Sequence, residues 1–219
     1  MKPLSPAQVA WYAIVRNAIY LFCRLFWRLE LVGREQVPVT GPFILAPVHR
    51  SNVDTPLVSA VTGRCLRYMG KDAMWKYRWS AWFFTSLGGF PVHRGTADRE
   101  AMRRCEQVLD GGEPLVMFPE GTRQLGPVIE NMFDGVAYVA LRAGVPIVPV
   151  GIGGSERAMP KGARMIRPVK LTMVIGPPIE VEAPAEGERV PRRAVRELTE
   201  RLRAELQLLF DEAQVRAGA

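Results

Sequence analysis

The chain has 219 residues and a mass of 24.4 kDa, enough for one domain with a well-buried core and short for two. Apolar residues at 48% and charged residues at 23% exclude a disordered tail and a fibrous protein. Lys plus Arg number 29 against 22 Asp plus Glu, a formal charge of +7, so the partner or surface is expected to be anionic: phosphate, membrane or nucleic acid.

The first informative stretch, Ala7 to Leu31, interleaves Trp11, Tyr12, Tyr20, Phe22, Phe26 and Trp27 with Arg16, Arg24 and Arg28. Aromatic rings sit well at headgroup depth, and arginines reach lipid phosphates while their stems lie on apolar surface. The arginines keep any uncharged apolar run short of the roughly 18 residues that a spanning helix suggests. The stretch reads as an interfacial helix within an N-terminal segment of residues 1–34; an amphipathic core helix is the competing reading. No small-residue cleavage site follows it, so the N-terminus is expected to be retained.

From residue 35 to 219 short apolar runs alternate with helical segments, which predicts an α/β domain. Strands are expected at Phe43–Pro47, Arg67–Met69, Phe90–His93, Leu115–Phe118, Ile147–Ile152 and Lys170–Ile175, and helices at Thr55–Val61, Ala97–Leu109 and Gly135–Ala143. Arg192–Val215 carries Val195, Leu198, Leu202, Leu206 and Leu209 at helical spacing and predicts an amphipathic helix docked on the domain. Glu180–Pro191, rich in Pro, Ala and Glu, reads as a surface loop.

Cys23, Cys65 and Cys105 have no paired spacing, which excludes a disulfide framework and a closed zinc site and points to a reducing cytoplasm. With His49 and His93 the only imidazoles, no metal requirement is expected. Between Arg64 and Arg104, nine basic and three acidic residues accompany Trp75, Tyr77, Trp79, Trp82, Phe83 and Phe84. Bases stack on such rings, yet no nucleic-acid module accompanies them, so lipid or acyl-chain contact is favoured.

Four segments carry chemistry. In APVHRSNVDTP a strand ends just before His49, and Asp54 follows five residues on. The two side chains meet only if His49 lies on the turn before a helix that starts near Asp54. A carboxylate would then fix the imidazole tautomer and leave the other nitrogen to accept a proton. Asp54 as a helix N-cap beside a structural His49 is the equal alternative. LVMFPEGTRQ delivers Glu120, Gly121, Thr122 and Arg123 at a strand end, where α/β sheets bind ligands; a β-turn with a surface ion pair is the plainer reading. LGGFPVHRG places Arg94, a bidentate phosphate fork or a surface arginine, after a short strand. AGVPIVPVGI puts Pro149 in an apolar strand, which argues for an edge or wall position.

HRSNVD at 49–54, FPVHR at 90–94, FPEGTR at 118–123 and VPIVPV at 145–150 resemble, in this order, the four motifs of the glycerolipid acyltransferase family. The resemblance implies a mixed sheet flanked by helices, with a membrane-associated helical element. It implies His49 as base, Asp54 as its orienter, and Arg94, Glu120, Gly121, Thr122 and Arg123 as the acceptor-phosphate site. The implied acyl donor is acyl-CoA or acyl carrier protein, with no further cofactor. The implied acceptor is 1-acylglycerol 3-phosphate (lysophosphatidate), with glycerol 3-phosphate or another lysophospholipid as the alternative. The expected location is the cytoplasmic face of a membrane with anionic phospholipid. Trp75, Phe83 and Phe84 are candidates for the wall of an acyl-chain pocket. Val48, Arg50, His93, Gln124 and Asp134 depart from the common family pattern. An inert binder of anionic lipid is the reading from another class, and a hydrolase is disfavoured because GGSER at 153–157 lacks the last glycine of a nucleophile elbow.

Overall fold

The structure, a computed structural model, describes residues 4–92, 99–160, 162–185 and 188–218. His93, Arg94 and the first two residues of the helix expected from Ala97 lie outside the described residues.

Helix α1, Pro6–Phe26, begins with a capping box: the Ser5 hydroxyl accepts from the Gln8 N–H, and the Gln8 side chain accepts from the Ser5 N–H. By length and composition α1 is, among the described residues, the one helix long and apolar enough to cross a membrane. It ends earlier than the expected Leu31. Arg28 takes a left-handed backbone with φ of 48°, the Leu29 N–H bonds back to the Cys23 carbonyl at 3.1 Å, and the chain turns into strand β1, Glu30–Val32. The boundary expected at residue 34 therefore falls past a strand of the sheet. α1 is anchored to the domain by buried Tyr12, whose hydroxyl accepts from the Leu66 N–H at 3.1 Å, and by Arg16, which donates to the Gly63 carbonyl.

The remaining strands are β2 (Ile44–Pro47), β3 (Arg67–Lys71), β4 (Gly89–Val92), β5 (Leu115–Val116), β6 (Ile147–Gly153) and β7 (Thr172–Ile175). They form one seven-stranded mixed sheet in the order β1-β7-β6-β2-β5-β3-β4. All neighbours are parallel except β6 and β7. Strands buried on both faces need continuous apolar sequence, and β2 and β6 supply it: Ile44, Leu45, Ile147, Val148, Val150 and Ile152 are all fully buried.

The edge position expected for Pro149 is not found, because β6 lies between β2 and β7. Pro146 and Val150 carbonyls accept from β2, so alternate residues of β6 turn their polar groups toward β7. There Ile147 exchanges bonds with Ile179 and Pro149 only accepts, from the Gly176 N–H at 3.0 Å. The missing N–H of Pro149 falls where β7 has ended, so an interior strand tolerates it. Its ring packs toward Gly176 within the fold, and the pocket-wall role expected for it is not supported.

The helices are α2 (Asp54–Leu57), continued by a 3₁₀ turn at Val58–Ala60, α3 (Arg78–Ser86), α4 (Arg99–Asp110), α5 (Gly135–Ala143), α6 (Ser155–Ala158) and α7 (Arg192–Ala217). α4, α5 and α7 pack as one group, and α1, α2 and α3 as another. α7 lies directly on β6. A Cβ at Gly151 would stand 2.2 Å from the Leu209 carbonyl oxygen and one at Gly153 2.1 Å from that of Ala213, so only glycine admits the helix backbone this close.

Gly151→Ala is therefore expected to destabilise the fold by about 3 kcal/mol in urea unfolding, since neither backbone can yield. Burial pushes the Cys23 thiol up to about 11 and the Cys105 thiol to about 12, and raises half-buried Cys65 less. Native protein at pH 8 is expected to release one equivalent in a thiol titration, from Cys65, and three after unfolding.

Candidate active site

Strand β2 and the chain beyond it stay in the sheet until Val48, whose N–H donates to the Val150 carbonyl at 3.0 Å. His49 is the first residue to leave, at the carboxyl end of the central strands. The chain then folds around the carboxylate of Asp54, which is fully buried at the start of α2. One oxygen of Asp54 accepts from the N–H groups of Arg50 at 2.7 Å and Ser51 at 2.6 Å and lies 3.0 Å from Nδ1 of His49. The helix N-cap expected of Asp54 is not found: Val53 holds that position without a side-chain bond, and the Asp54 carboxylate instead holds the turn before α2 together with the His49 ring. With Nδ1–H donating to Asp54, Nε2 carries the lone pair. The His49 side chain retains 12% exposure, and Nε2 has no partner among the described residues. The ring lies against Phe118, centroids 4.2 Å apart.

The third motif closes on the same histidine. Strand β5 leads through Phe118 and Pro119 to Glu120, whose carboxylate accepts the His49 N–H at 2.7 Å, while the His49 carbonyl accepts the Gln124 N–H at 2.9 Å. Both backbone polar groups of the candidate base are therefore held by one neighbouring loop. Glu120 is buried and ion-paired with the Arg50 guanidinium. This corrects its expected place in a phosphate pocket: the carboxylate faces inward, where it organises His49 and Arg50. Gly121 makes the turn with φ of 64°, a left-handed backbone that favours glycine, and the exposed Phe133 ring stands over it. The Thr122 N–H donates to the Glu120 carbonyl at 2.6 Å and its hydroxyl accepts from Gln124. Half-buried Arg123 follows, with no ion pair or side-chain hydrogen bond among the described residues, and remains available to an anion.

Arg94 lies outside the described residues. Strand β4, which precedes it, runs parallel to β2 and is the third strand away, about 14 Å at ordinary sheet spacing. The aromatic stretch divides in two. The half-buried Trp75 ring covers Gly70 and Gly89 on β3 and β4 and packs with Phe84, which meets Phe83. Trp79 and Trp82 point outward, 70% and 65% exposed, and Trp82 lies 6.4 Å from Trp11 of α1. No contact joins these rings to His49 among the described residues.

Sequence reasoning missed the support beneath the site. Buried Arg50 donates to the His49 carbonyl at 3.3 Å and stands 4.9 Å above the Phe210 ring of α7. Gln207 of α7 accepts from the Ile129 N–H and donates to the Pro127 carbonyl, which fixes the loop after Arg123. An arginine beside the histidine was a legible oddity; its partner 160 residues on carried no signal. Among the described residues no group of three His, Cys, Asp or Glu side chains converges as a metal would need.

A family model described as Acyltransferase matches residues 28–153, more than half of the chain. The chain is 28% identical over 156 residues to a 1-acyl-sn-glycerol-3-phosphate acyltransferase of Chlamydomonas reinhardtii, with 68% of this chain and 46% of that protein aligned. It is 24% identical over 169 residues to the Bacillus subtilis protein of the same description, covering 77% of this chain and 82% of that protein. The chain spans less than half of the first curated relatives, from Chlamydomonas, Arabidopsis and Brassica. The crystal structure of the 1-acyl-sn-glycerophosphate acyltransferase PlsC from Thermotoga maritima superposes with a TM-score of 0.72 at 23% identity, covering 92% of this chain and 79% of that one, which establishes the shared fold.

Removing one partner of the buried Arg50–Glu120 pair strands a charge. Glu120→Ala is expected to cost about 3–5 kcal/mol in urea unfolding. The double variant Arg50→Met with Glu120→Gln keeps an acceptor for the His49 N–H and strands neither charge of the pair, so it is expected to recover most of that loss.

Proposed function

The chain belongs to the acyltransferase family, and from that premise we propose that it moves a fatty acyl group from a coenzyme A or acyl-carrier-protein thioester to the free hydroxyl of 1-acylglycerol 3-phosphate, forming phosphatidic acid. The observation that carries the reading is His49 Nδ1 held 3.0 Å from a fully buried Asp54 with Nε2 unpartnered. Nε2 accepts the proton of the acceptor hydroxyl as that oxygen attacks the thioester carbonyl carbon, and Asp54 stabilises the imidazolium. The tetrahedral intermediate collapses by breaking the C–S bond. A thiol has a pKa of roughly 8.5, so the thiolate leaves without a strong acid and recovers the proton from His49.

The acceptor is chosen for its chemistry. Arg123, and Arg94 from the second motif, supply guanidinium forks for a phosphate monoester, with Gly121 and Thr122 shaping the turn that presents Arg123. Glu120 serves from behind. Relatives described as acting on this acceptor favour lysophosphatidate over glycerol 3-phosphate. No cofactor beyond the thioester is needed for these steps.

The enzyme works at the cytoplasmic face of a membrane. Ala7, Trp11, Ile14, Ala18, Leu21 and Leu25 form an exposed stripe along α1 at three- and four-residue spacing, and Trp79 and Trp82 of α3 extend it. The cluster of Trp75, Phe83 and Phe84 behind that stripe is the proposed wall for an acyl chain entering from the lipid side.

Purified protein supplied with long-chain acyl-CoA or acyl carrier protein, and with lysophosphatidate, glycerol 3-phosphate or no acceptor, is expected to release thiol only with an acceptor, fastest with lysophosphatidate. His49→Ala and Asp54→Asn are expected to lower that rate by about 10²–10⁴-fold. Release without acceptor identifies a thioesterase, and no release from either donor, with lipid binding kept, leaves an inert lipid binder.

A further inference from the structure

The loop between α6 and β7 contains an exposed pair, Met165 at 80% and Ile166 at 38%, flanked by exposed Arg164 and Arg167. It has no evident use in the fold, whose core is complete without it. Its backbone, however, is fixed at three points. The Arg167 N–H donates to the Ala158 carbonyl at 2.8 Å. The Trp27 indole N–H donates to the Arg167 carbonyl at 2.9 Å, and the Leu171 N–H donates to the Trp27 carbonyl. Trp27 caps α1, and its ring meets that of exposed Phe22 at 5.2 Å. The apolar tip of the loop therefore continues the exposed end of α1 formed by Leu21, Phe22 and Leu25.

Charge gathers at the same place. Arg24, Arg28, Arg164 and Arg167 are all exposed, and none takes part in an ion pair among the described residues. The nearby acid, Glu30, is already bound by Lys170 at 2.7 Å and Arg216 at 3.4 Å, and the Lys170 ammonium holds its carboxyl below the usual range. The corner is left with a net positive field. Arg28 occupies the left-handed cap position where glycine is usual, so the chain keeps a cation there at a backbone cost.

We propose that residues 164–167 are a further lipid-contacting element, which inserts Met165 and Ile166 into an anionic phospholipid surface while Arg164, Arg167, Arg24 and Arg28 engage its phosphates. The proposal rests on the membrane-surface reading of α1 and adds a contact far from it in sequence. Trp82 meets α1 at Trp11, in its N-terminal half, and a contact beside its C-terminal end would hold the domain to the surface at both ends of the helix. The loop also leads to the site, because the Met159 carbonyl accepts the hydroxyl of Ser51, two residues beyond His49.

The test uses the full chain with Cys65→Ser, which leaves only the buried thiols Cys23 and Cys105. An environment-sensitive fluorophore is attached through Met165→Cys in one variant and Ile14→Cys in another. Each is mixed with phosphatidylglycerol–phosphatidylcholine vesicles or with phosphatidylcholine vesicles. The expected result is a blue shift at both positions with anionic vesicles. Arg164→Gln with Arg167→Gln is expected to weaken vesicle binding about 30-fold while thermal unfolding is unchanged. A shift at position 14 with none at 165 overturns the loop's role and leaves the α1 reading standing. A shift at 165 alone supports the loop and removes α1 from the interface. Absence of binding to either vesicle overturns both.

Discussion

A carboxylate withdrawn wholly from water is stable as an anion only if several donors converge on it, and the turn from His49 to Asp54 is shaped by that requirement. Two backbone N–H groups and the His49 ring meet on one Asp54 oxygen. The turn cannot relax without leaving that charge unsatisfied, so the imidazole inherits its orientation from a folding constraint. The same bonds that make the strand-to-helix turn affordable in free energy leave Nε2 as the imidazole nitrogen free to react. A candidate catalytic geometry here is a consequence of how a buried acid is accommodated.

The second buried acid extends this constraint across the sheet. Glu120 holds the His49 N–H and the Arg50 guanidinium, and Arg50 rests on Phe210 of the last helix. Three segments separated widely in sequence thereby depend on one another: the turn after β2, the turn after β5 and the C-terminal half of α7. A charge pair this deep gains little net stability compared with apolar residues of equal volume. Its value lies in geometry, since the pair sets the distance between the loop carrying His49 and the loop carrying Arg123. The glycines of β6 serve the same end by letting α7 approach until Phe210 lies under Arg50.

What was legible in the sequence followed from local rules. The expected span Gly135–Ala143 matches the helix to the residue, because Gly144 follows it and a left-handed cap glycine is a local signal. The spacing of His49 and Asp54 announced a contact that needed only a turn and the first residue of a helix. Strand β1 was missed because three residues pairing with β7, some 140 positions away, carry no periodicity of their own. Pro149 departs from the expected edge because the rule against interior proline concerns a missing donor, and β7 has ended where that donor would have pointed. Glu120 was assigned to the ligand because sequence shows a carboxylate beside an arginine and a glycine without showing which way it faces. Its buried partner Arg50 stands out in the sequence only as a departure from the family pattern.

The position of α1 turns these static relations into a consequence for chemistry. Its Tyr12 and Arg16 grip Leu66 and Gly63, in the segment that follows α2 and Asp54. Whatever orients α1 therefore orients the turn that holds His49, with few flexible links between. On the proposed reading, a hydroxyl at headgroup depth is presented at a nearly fixed height above the acyl chains, and a base meant to meet it needs a fixed height as well. An apolar stripe anchored rigidly beside the dyad meets that need better than a tether would. A flexible anchor would raise local concentration and leave orientation to chance. Under the proposed membrane-surface reading, the exposed face of α1 and the buried face of Asp54 are parts of one geometric problem, and the short path between them is what suits the fold to reaction at an interface.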